Sequence, residues 1–466
     1  MADVEEPAAE AVVFRDDEGR IAPDYVEQAT SAIRARDAER LRTLVTDLHE
    51  ADLGGLIEAL ESDDRGHLIQ LLGKDFNFAA LTEVDDSVRE EILRDLPTET
   101  VAEGVRDLDI DDAVYILEDL DEGDKAEILE KLPALERVAL QRSLDYPEET
   151  AGRRMQTDCI AVPPFWTVRQ TVDYIRDTAD LPDTFYEVFV VDPGYRLLGT
   201  VPLDKLMRAR WAERVGDIAS SDRHLVRATD DQEEVARLMQ RYNLVSAPVV
   251  DDGDRLVGVV MVDDIVDVIE EEADEDLKAL GGVNRHEELT DRVWFIARSR
   301  FSWLFVNLLT AFLASSVLGL FEKQLEQMVA LAVLAPIVAS QGGNAATQTM
   351  TVAVRALATR ELGRANAMRI TLREVLVAVI NGLGFAVITG AAAALWFGMV
   401  GLGLVIGAAM MVNLVAGALG GILIPLALER FKADPAVSSG TFVTTVTDVV
   451  GFFSFLGIAT LWFGLS

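Results

Sequence analysis

One carboxylate stands where a carboxylate is expensive. Asp448 is the single charged residue between Ala436 and the C-terminus, in a run apolar enough to cross a membrane, where an Asp costs roughly 2.5 to 3.5 kcal/mol on insertion scales and normally faces a bundle interior or water. Helical spacing puts Thr441, Thr444, Thr445 and Asp448 on one face of that run. An earlier uncharged run offers a matching stripe, Asn344, Thr347 and Thr351, preceded by Gly342 and Gly343, where missing side chains expose backbone carbonyls or let helices approach closely. Two oxygen-rich stripes and one buried carboxylate suit a hard cation, Mg²⁺ above all, which sheds water reluctantly and keeps several waters around one or two carboxylates. The competing reading makes the threonines and glycines helix-packing residues, common in membranes. It is weakest for Asp448, because packing needs no charge.

These residues require spanning helices to carry them. Phe301 to Phe321 is a run of 21 residues without a charge, long enough to cross a hydrocarbon core of about 30 Å at about 1.5 Å per residue. A second uncharged run lies between Glu326 and Arg355; Val375 to Leu428 is uncharged throughout and must hold two spans joined by a hairpin near Gly398 to Gly403. With the run after Ala436, the sequence predicts five spans. Arg355, Arg360, Arg364, Arg369 and Arg373 lie between spans two and three, Arg298 and Arg300 before span one, and Arg430 and Lys432 before span five. Cytoplasmic loops keep such an excess, so the N-terminus is expected inside and the C-terminus outside.

Composition bounds the rest. The 466 residues carry 42 basic and 79 acidic side chains, but residues 282–466 hold 12 and 10 of them, leaving the first 281 residues strongly acidic. Nucleic acid is excluded as the main ligand, since phosphate binding needs clustered Lys and Arg. The one cysteine, Cys159, cannot form an intramolecular disulfide, and four scattered histidines (His49, His67, His224, His286) leave little for a zinc site. The N-terminal residues lack a basic and apolar leader pattern, so the acidic half is expected to stay in the cytoplasm. Only 7 of the basic residues are Lys, which together with the carboxylate excess suggests a chain that works in high salt.

Within the acidic half, Asp52 to Leu60, Ser87 to Leu96, Asp111 to Leu120 and Asp124 to Leu132 read as short helices with acidic first turns. Residues 151–276 contain an internal repeat: Phe189-Val190-Val191-Asp192 with Arg196, Gly199 and Asp204 recurs as Pro248-Val249-Val250-Asp251 with Arg255, Gly258 and Asp263, each match 59 residues away. Each copy reads as strand, turn, strand, helix, with an earlier helix (Val168 to Arg176; Gln232 to Tyr242) before it. The repeat resembles a tandem pair of cystathionine-β-synthase (CBS) domains, modules that in many proteins bind adenosine nucleotides, which makes ATP a candidate ligand there; a purely structural pair is the alternative.

The second copy ends in nine carboxylates within fourteen residues, Asp263 to Asp276. Charges of one sign that close repel unless counterions intervene. Either the strip is a solvated surface, or Mg²⁺ neutralises it against acidic partners from the helical domain, Asp112 being one candidate, or from a second subunit. A helix from about Glu287 to Arg300 is then placed to carry the change to the membrane.

Taken together the chain resembles the MgtE family of magnesium channels over essentially residues 30–466. The resemblance rests on Ala151-Gly152-Arg153-Arg154-Met155, Val262-Asp263-Asp264-Ile265-Val266-Asp267, Gly342-Gly343-Asn344 with Gln348, Arg355-Ala356-Leu357-Ala358, and Asp434-Pro435-Ala436 leading to Thr447-Asp448. The chain departs from the family pattern in having Ala346-Thr347 where members often have Gly-Asn. The resemblance implies an acidic tail (1–29), an all-α superhelical N-domain (30–148), an α/β CBS pair (149–277), a connecting or plug helix (278–300) and a five-helix transmembrane domain (301–466). It further implies a homodimer in the plasma membrane with the pore between subunits. Asp448 would hold a largely hydrated Mg²⁺, beside Asn344, Gly343, Thr347, Thr351 and Thr444. Asp264, Asp267, Glu272, Glu275 and Asp276 would be the positions where cytosolic Mg²⁺ favours closure.

Two other classes stay open. A membrane-anchored CBS sensor that conducts nothing would need no buried Asp and no paired polar stripes. A membrane enzyme would need a nucleophile with a base, and no span contains His or Cys. Between passive and ion-coupled flux, the single buried carboxylate favours the passive kind, driven by a membrane potential worth about 2.3 kcal/mol per charge at about 100 mV.

Overall fold

The computed structural model describes residues 13–16, 18–118, 120–179, 181–182, 184–220, 224–285, 287, 291–363, 365–431 and 433–465. Residues 1–12 of the expected tail, Arg364, Lys432, His286 and residues 288–290 of the expected connecting helix lie outside these. The chain forms two compact units, residues 1–271 and 272–466.

The first unit opens with short helices: α1 (Pro23–Ala35), α2 (Ala38–Val45), α3 (Glu50–Ala59), α4 (Ser62–Leu72), α5 (Asp86–Asp95), α6 (Thr98–Arg106), α7 (Ile110–Glu118), α8 (Glu122–Lys131) and α9 (Ala134–Leu144). Acidic first turns complement the positive helix N-termini, and apolar residues at helical spacing turn inward: Leu56, Ile57, Ile116 and Leu117 have no exposed surface, each burial contributing about 1.5 to 3 kcal/mol. The helical domain begins before residue 30. Tyr25 and Ala29 of α1 are buried, and Phe14 packs against the same core with its ring edge on Tyr25, so residues 13–29 are not a tail.

The CBS pair follows, with two copies of one topology. In the first, β1 (Ala161–Val162), α10 (Val168–Asp177), β2 (Glu187–Val191), β3 (Leu197–Pro202), α11 (Leu203–Arg208) and α12 (Val215–Ile218) build a sheet in which β1 runs parallel and β3 antiparallel to β2. In the second, β4 (Val226–Arg227), α13 (Gln232–Tyr242), β5 (Ser246–Val250) and β6 (Leu256–Met261) repeat the pattern. The repeated residues have equivalent work. Asp192 and Asp251 each accept bonds from the backbone two and four residues on, closing the turn. A methyl group on either Gly199 or Gly258 would lie 2.6 Å from a carbonyl oxygen, of Ser220 and Gln156 respectively, so both must be glycine. Phe189, Val191, Leu197, Val250, Leu256 and Val259 form one apolar cluster, which joins the copies face to face.

The chain then continues from β6 directly into α14 (Val262–Leu280), a single helix that carries the whole acidic strip. The expected helix over 278–300 is not one element: α14 ends at Leu280, Gly282 takes φ +71° in the turn after it, and the next helix starts at Val293. Among the described residues between α14 and α15 none is helical.

In the second unit, α15 (Val293–Gly319), α17 (Val329–Ala358), α18 (Ala367–Phe397), α19 (Val400–Arg430) and α20 (Pro435–Phe463), with the short α16 (Glu322–Gln327) between the first two, supply five helices long and apolar enough to span a membrane among the described residues. Gly398, at φ +67°, closes the α18–α19 hairpin where the glycines predicted it. α19 is the most enclosed of the spans and packs on α17, α18 and α20. The closeness is backbone to backbone: a methyl group on Gly417 would lie 2.9 Å from the Gly342 carbonyl oxygen, and one on Gly421 2.7 Å from that of Ala346, the small-residue packing that membranes favour.

Candidate functional site

Helix α17 divides its residues between two faces. Gly342, Ala346, Met350, Ala353 and Val354 are buried, while Asn344, Thr347 and Thr351 are exposed, and Gly343 is half-buried. On α20, Thr444 is exposed and Asp448 half-buried. The two helices pack together: Thr447, without exposed surface, puts its Oγ1 3.7 Å from the place of a methyl group on Gly343. Thr447, part of the Thr447-Asp448 motif but off the polar stripe, is buried against Gly343 and fixes the residue preceding Asp448.

The hydroxyls share one habit. Thr347 donates to the Gly343 carbonyl (2.9 Å), Thr351 to that of Thr347 (3.0 Å) and Thr444 to that of Gly440 (2.9 Å). With the proton given to its own helix, each oxygen presents lone pairs outward. Such acceptors match the water shell of a hydrated cation, whose waters donate. Thr441 is different: it is buried and donates to Asn307 Oδ1 on α15 (2.6 Å). It ties span one to span five, and of the expected four-residue stripe it is the member taken up by packing.

The acidic residues divide between the two units. In the first, Asp112 and its neighbour Asp111 on α7 sit close enough to Asp263 and Asp264 on α14 to disturb their charge. Burial, then Asp112 and Asp109, pushes Asp111 up to about 7. Burial, then Asp109, Glu50, Glu83 and Asp263, pushes Asp112 up to about 6. Asp264 is raised well above the usual carboxylate range by burial and by Asp111, Asp263 and Asp112. Burial and Glu270 raise Asp267, and burial and Asp267 raise Glu83. Asp111 Oδ1 and Asp264 Oδ2 are buried without a hydrogen-bond partner among the described residues. Asp111 reads in the sequence as an ordinary acidic helix start, and Glu83 and Glu50 carry no distinguishing signal there.

Arginines line one side of this cluster. Arg154 bonds Glu271 (2.9 Å) and lies 5.0 Å from the Tyr115 ring centroid, and Arg153 pairs with Glu118 (3.2 Å), so the Arg153-Arg154 motif braces α7 and α14. In the second unit Glu275 pairs with Arg285 (3.2 Å), which also bonds Asp434, the N-cap of α20. The strip is thus partly neutralised by cations of its own. Glu272 and Asp276 lie on the same stretch of α14. Among the described residues no three His, Cys, Asp or Glu side chains form a preformed metal cage. The last turn of α14 packs Ala279 into a cluster with Ala346, Met350 and Val354 of α17 and Ala436 and Val443 of α20.

Comparison with known proteins gives this arrangement a family. The model described as MgtE, divalent cation transporter, matches residues 335–458, the MgtE intracellular N domain residues 48–149, and the CBS domain residues 215–271. A "Magnesium transporter MgtE" of Enterococcus faecalis is 36% identical over 432 residues, covering 92% of this chain and 95% of that one. The chain belongs to the MgtE family. A protein of the same name from Thermus thermophilus is 36% identical over 329 residues, covering 70% of this chain and 72% of the relative. Among solved structures, the cytosolic domain of the Mg²⁺ channel MgtE in complex with ATP is 31% identical and aligns with 52% of this chain and 99% of its own, at a TM-score of 0.49. The family is one of membrane transporters, which agrees with the polar faces of α17 and α20.

Proposed function

We propose that the protein is a magnesium channel of the plasma membrane, admitting Mg²⁺ down its electrochemical gradient and closed by cytosolic Mg²⁺ at the acidic helices. The observation that carries the reading is the exposure of Asn344, Thr347, Thr351 and Thr444 on spanning helices. Polar faces at that depth need water or a second subunit rather than lipid. A homodimer with the pathway between subunits meets the need, with Asp448 supplying the charge and the threonine oxygens accepting bonds from the ion's waters. A non-conducting sensor gives these faces no purpose. The arginines 298, 300, 355, 369, 373 and 430 support an N-terminus inside and a C-terminus outside.

Regulation by the same ion is supported by the raised carboxyls. Asp111, Asp112 and Asp264 are crowded and half-buried, and two of their oxygens lack donors among the described residues; a divalent cation relieves both costs, and oxygen-only ligands suit Mg²⁺. Asp267 borders the same cluster. Glu272, Glu275 and Asp276 continue the helix into turns whose end, at Ala279, packs on spans two and five. Cation binding at one end of α14 and packing at the other make it the element whose position opens or closes the path. For ATP, the cleft between the two CBS copies, lined by Asp158, Thr184, Phe185, Tyr186 and Glu187 of the first and Ser246 of the second, offers aromatic and hydrogen-bonding groups, and it must widen to admit a nucleoside.

Inside-out patch recording tests the reading. Inward Mg²⁺ current in the wild type should fall as Mg²⁺ on the cytosolic face rises. In the Asp111→Ala/Asp264→Ala double variant the difference between current without and with cytosolic Mg²⁺ should narrow. An unchanged response would place the sensor elsewhere.

A further inference from the structure

We propose that Asn413, which lies on α19 and outside both polar faces, is a positioning residue of the ion pathway; the inference rests on the reading of α17 and α20 as that pathway. Asn413 has no exposed surface. Its Nδ2 donates to the Val338 carbonyl of α17 (2.8 Å), the carbonyl that in a regular helix accepts from the N–H of Gly342. The amide therefore grips span two one turn before Gly343 and Asn344.

Two glycines are set aside to seat it. A methyl group on Gly342 would collide with the Asn413 amide, and one on Gly451 of α20 would lie 2.7 Å from its Nδ2. Gly451 stands three residues after Asp448, on a neighbouring part of the same helix surface. One side chain from the central span thus fills the joint between the helix that carries Asn344 and the helix that carries Asp448. Asn413 Oδ1 is buried without a donor among the described residues. The reverse amide orientation would set oxygen against the Val338 oxygen, so the assignment follows from the bond. A branched apolar side chain with the same number of heavy atoms would fill this joint without leaving a polar atom unpaired. A polar group kept in the middle of a membrane bundle at that cost calls for an explanation, and the fixed register of spans two and five supplies it.

The test uses full-length protein in liposomes, measuring uptake of Mg²⁺ and, separately, Ca²⁺ over a range of concentrations. Asn413→Leu keeps the branched outline and the heavy-atom count and removes the donor. A merely structural role would lower the amount of active protein and scale both uptakes equally. Positioning changes their ratio and the half-saturating Mg²⁺, each expected to move by at least about threefold, in the range of coupled neighbours. Gly451→Ala should disturb the ratio in the same way when Asn413 is present. Added to Asn413→Ala, which vacates the space, it should change nothing further. An unchanged Mg²⁺ to Ca²⁺ ratio in Asn413→Leu, or additive effects in the double variant, would overturn the proposal. Wild-type liposomes that take up no Mg²⁺ would overturn the pathway reading itself, and this proposal with it.

Discussion

The carbonyl oxygen of Leu280, the last residue of α14, lies 3.9 Å from the place of a methyl group on Gly440, eight residues before Asp448 on α20. The helix that bears the acidic strip thus ends in van der Waals contact with the helix that bears the membrane carboxylate. A methyl fits this space, while a longer side chain must find room beside the Leu280 carbonyl and the Met350 methyl group, 4.0 Å from the same point. Gly440→Ala is expected to leave inhibition by cytosolic Mg²⁺ within about twofold of wild type. Gly440→Leu adds bulk against the end of α14, and overpacking of about 1 to 3 kcal/mol corresponds to a shift of fivefold or more in the inhibiting concentration. Patch recording on both variants measures it; equal behaviour of Ala and Leu would show that this contact does not gate.

Crowded carboxyls make stability depend on pH in a definite direction. With Asp111 at about 7, Asp112 at about 6 and Asp264 also raised, the folded state holds more protons than the unfolded one between about pH 4 and about pH 7. Their favourable contribution is present at low pH and lost as pH rises through 6 to 7, unless Mg²⁺ takes the protons' place. In EDTA, full-length protein in detergent should unfold at higher temperature near about pH 5.5 than near about pH 8, and added Mg²⁺ should raise the melting point more at the higher pH. Net negative charge pushes the same way, so Asp111→Asn/Asp264→Asn is the control. A slope identical in that variant would remove the cluster from the explanation.

Arg285 competes with any cation for Glu275. The pair at 3.2 Å is partly exposed and is worth at most about 1 kcal/mol, so Arg285→Gln is expected to shift Mg²⁺ inhibition to lower concentration by up to about fivefold, and less in high salt. A shift to higher concentration would mean that the Arg285 bridge to Asp434 matters more than the competition.

Much of this was legible before any coordinates. An uncharged run broken by a lone Asp448, and a repeat with its turn Asp and strand Gly at one spacing, carry their physics in the sequence, because insertion cost and turn geometry are local. Asp111 is not legible there: an Asp-Asp pair in a helix's first turn reads as a solvated cap, and its proximity to Asp264 on α14 is a tertiary contact the sequence does not show. Thr441 shares the helical face of Asp448 and yet is consumed by Asn307 on span one, a partner 134 residues away that periodicity cannot name. Glu275 reads in the sequence as a bare carboxylate, although Arg285 lies only ten residues on, because periodicity continues a helix through the Gly281-Gly282 turn that folds Arg285 back. Asn413 escaped notice as one amide in a long apolar run; two glycines far apart in sequence define its seat.

The most direct test of the central claim is Mg²⁺ uptake into liposomes holding purified full-length protein, wild type beside Asp448→Asn, at low internal Mg²⁺. The variant keeps the shape of the side chain and removes its charge. The account predicts uptake in the wild type and its loss in the variant, with dimer size and melting temperature retained. Equal uptake by a well-folded variant would contradict it and move the ion away from span five.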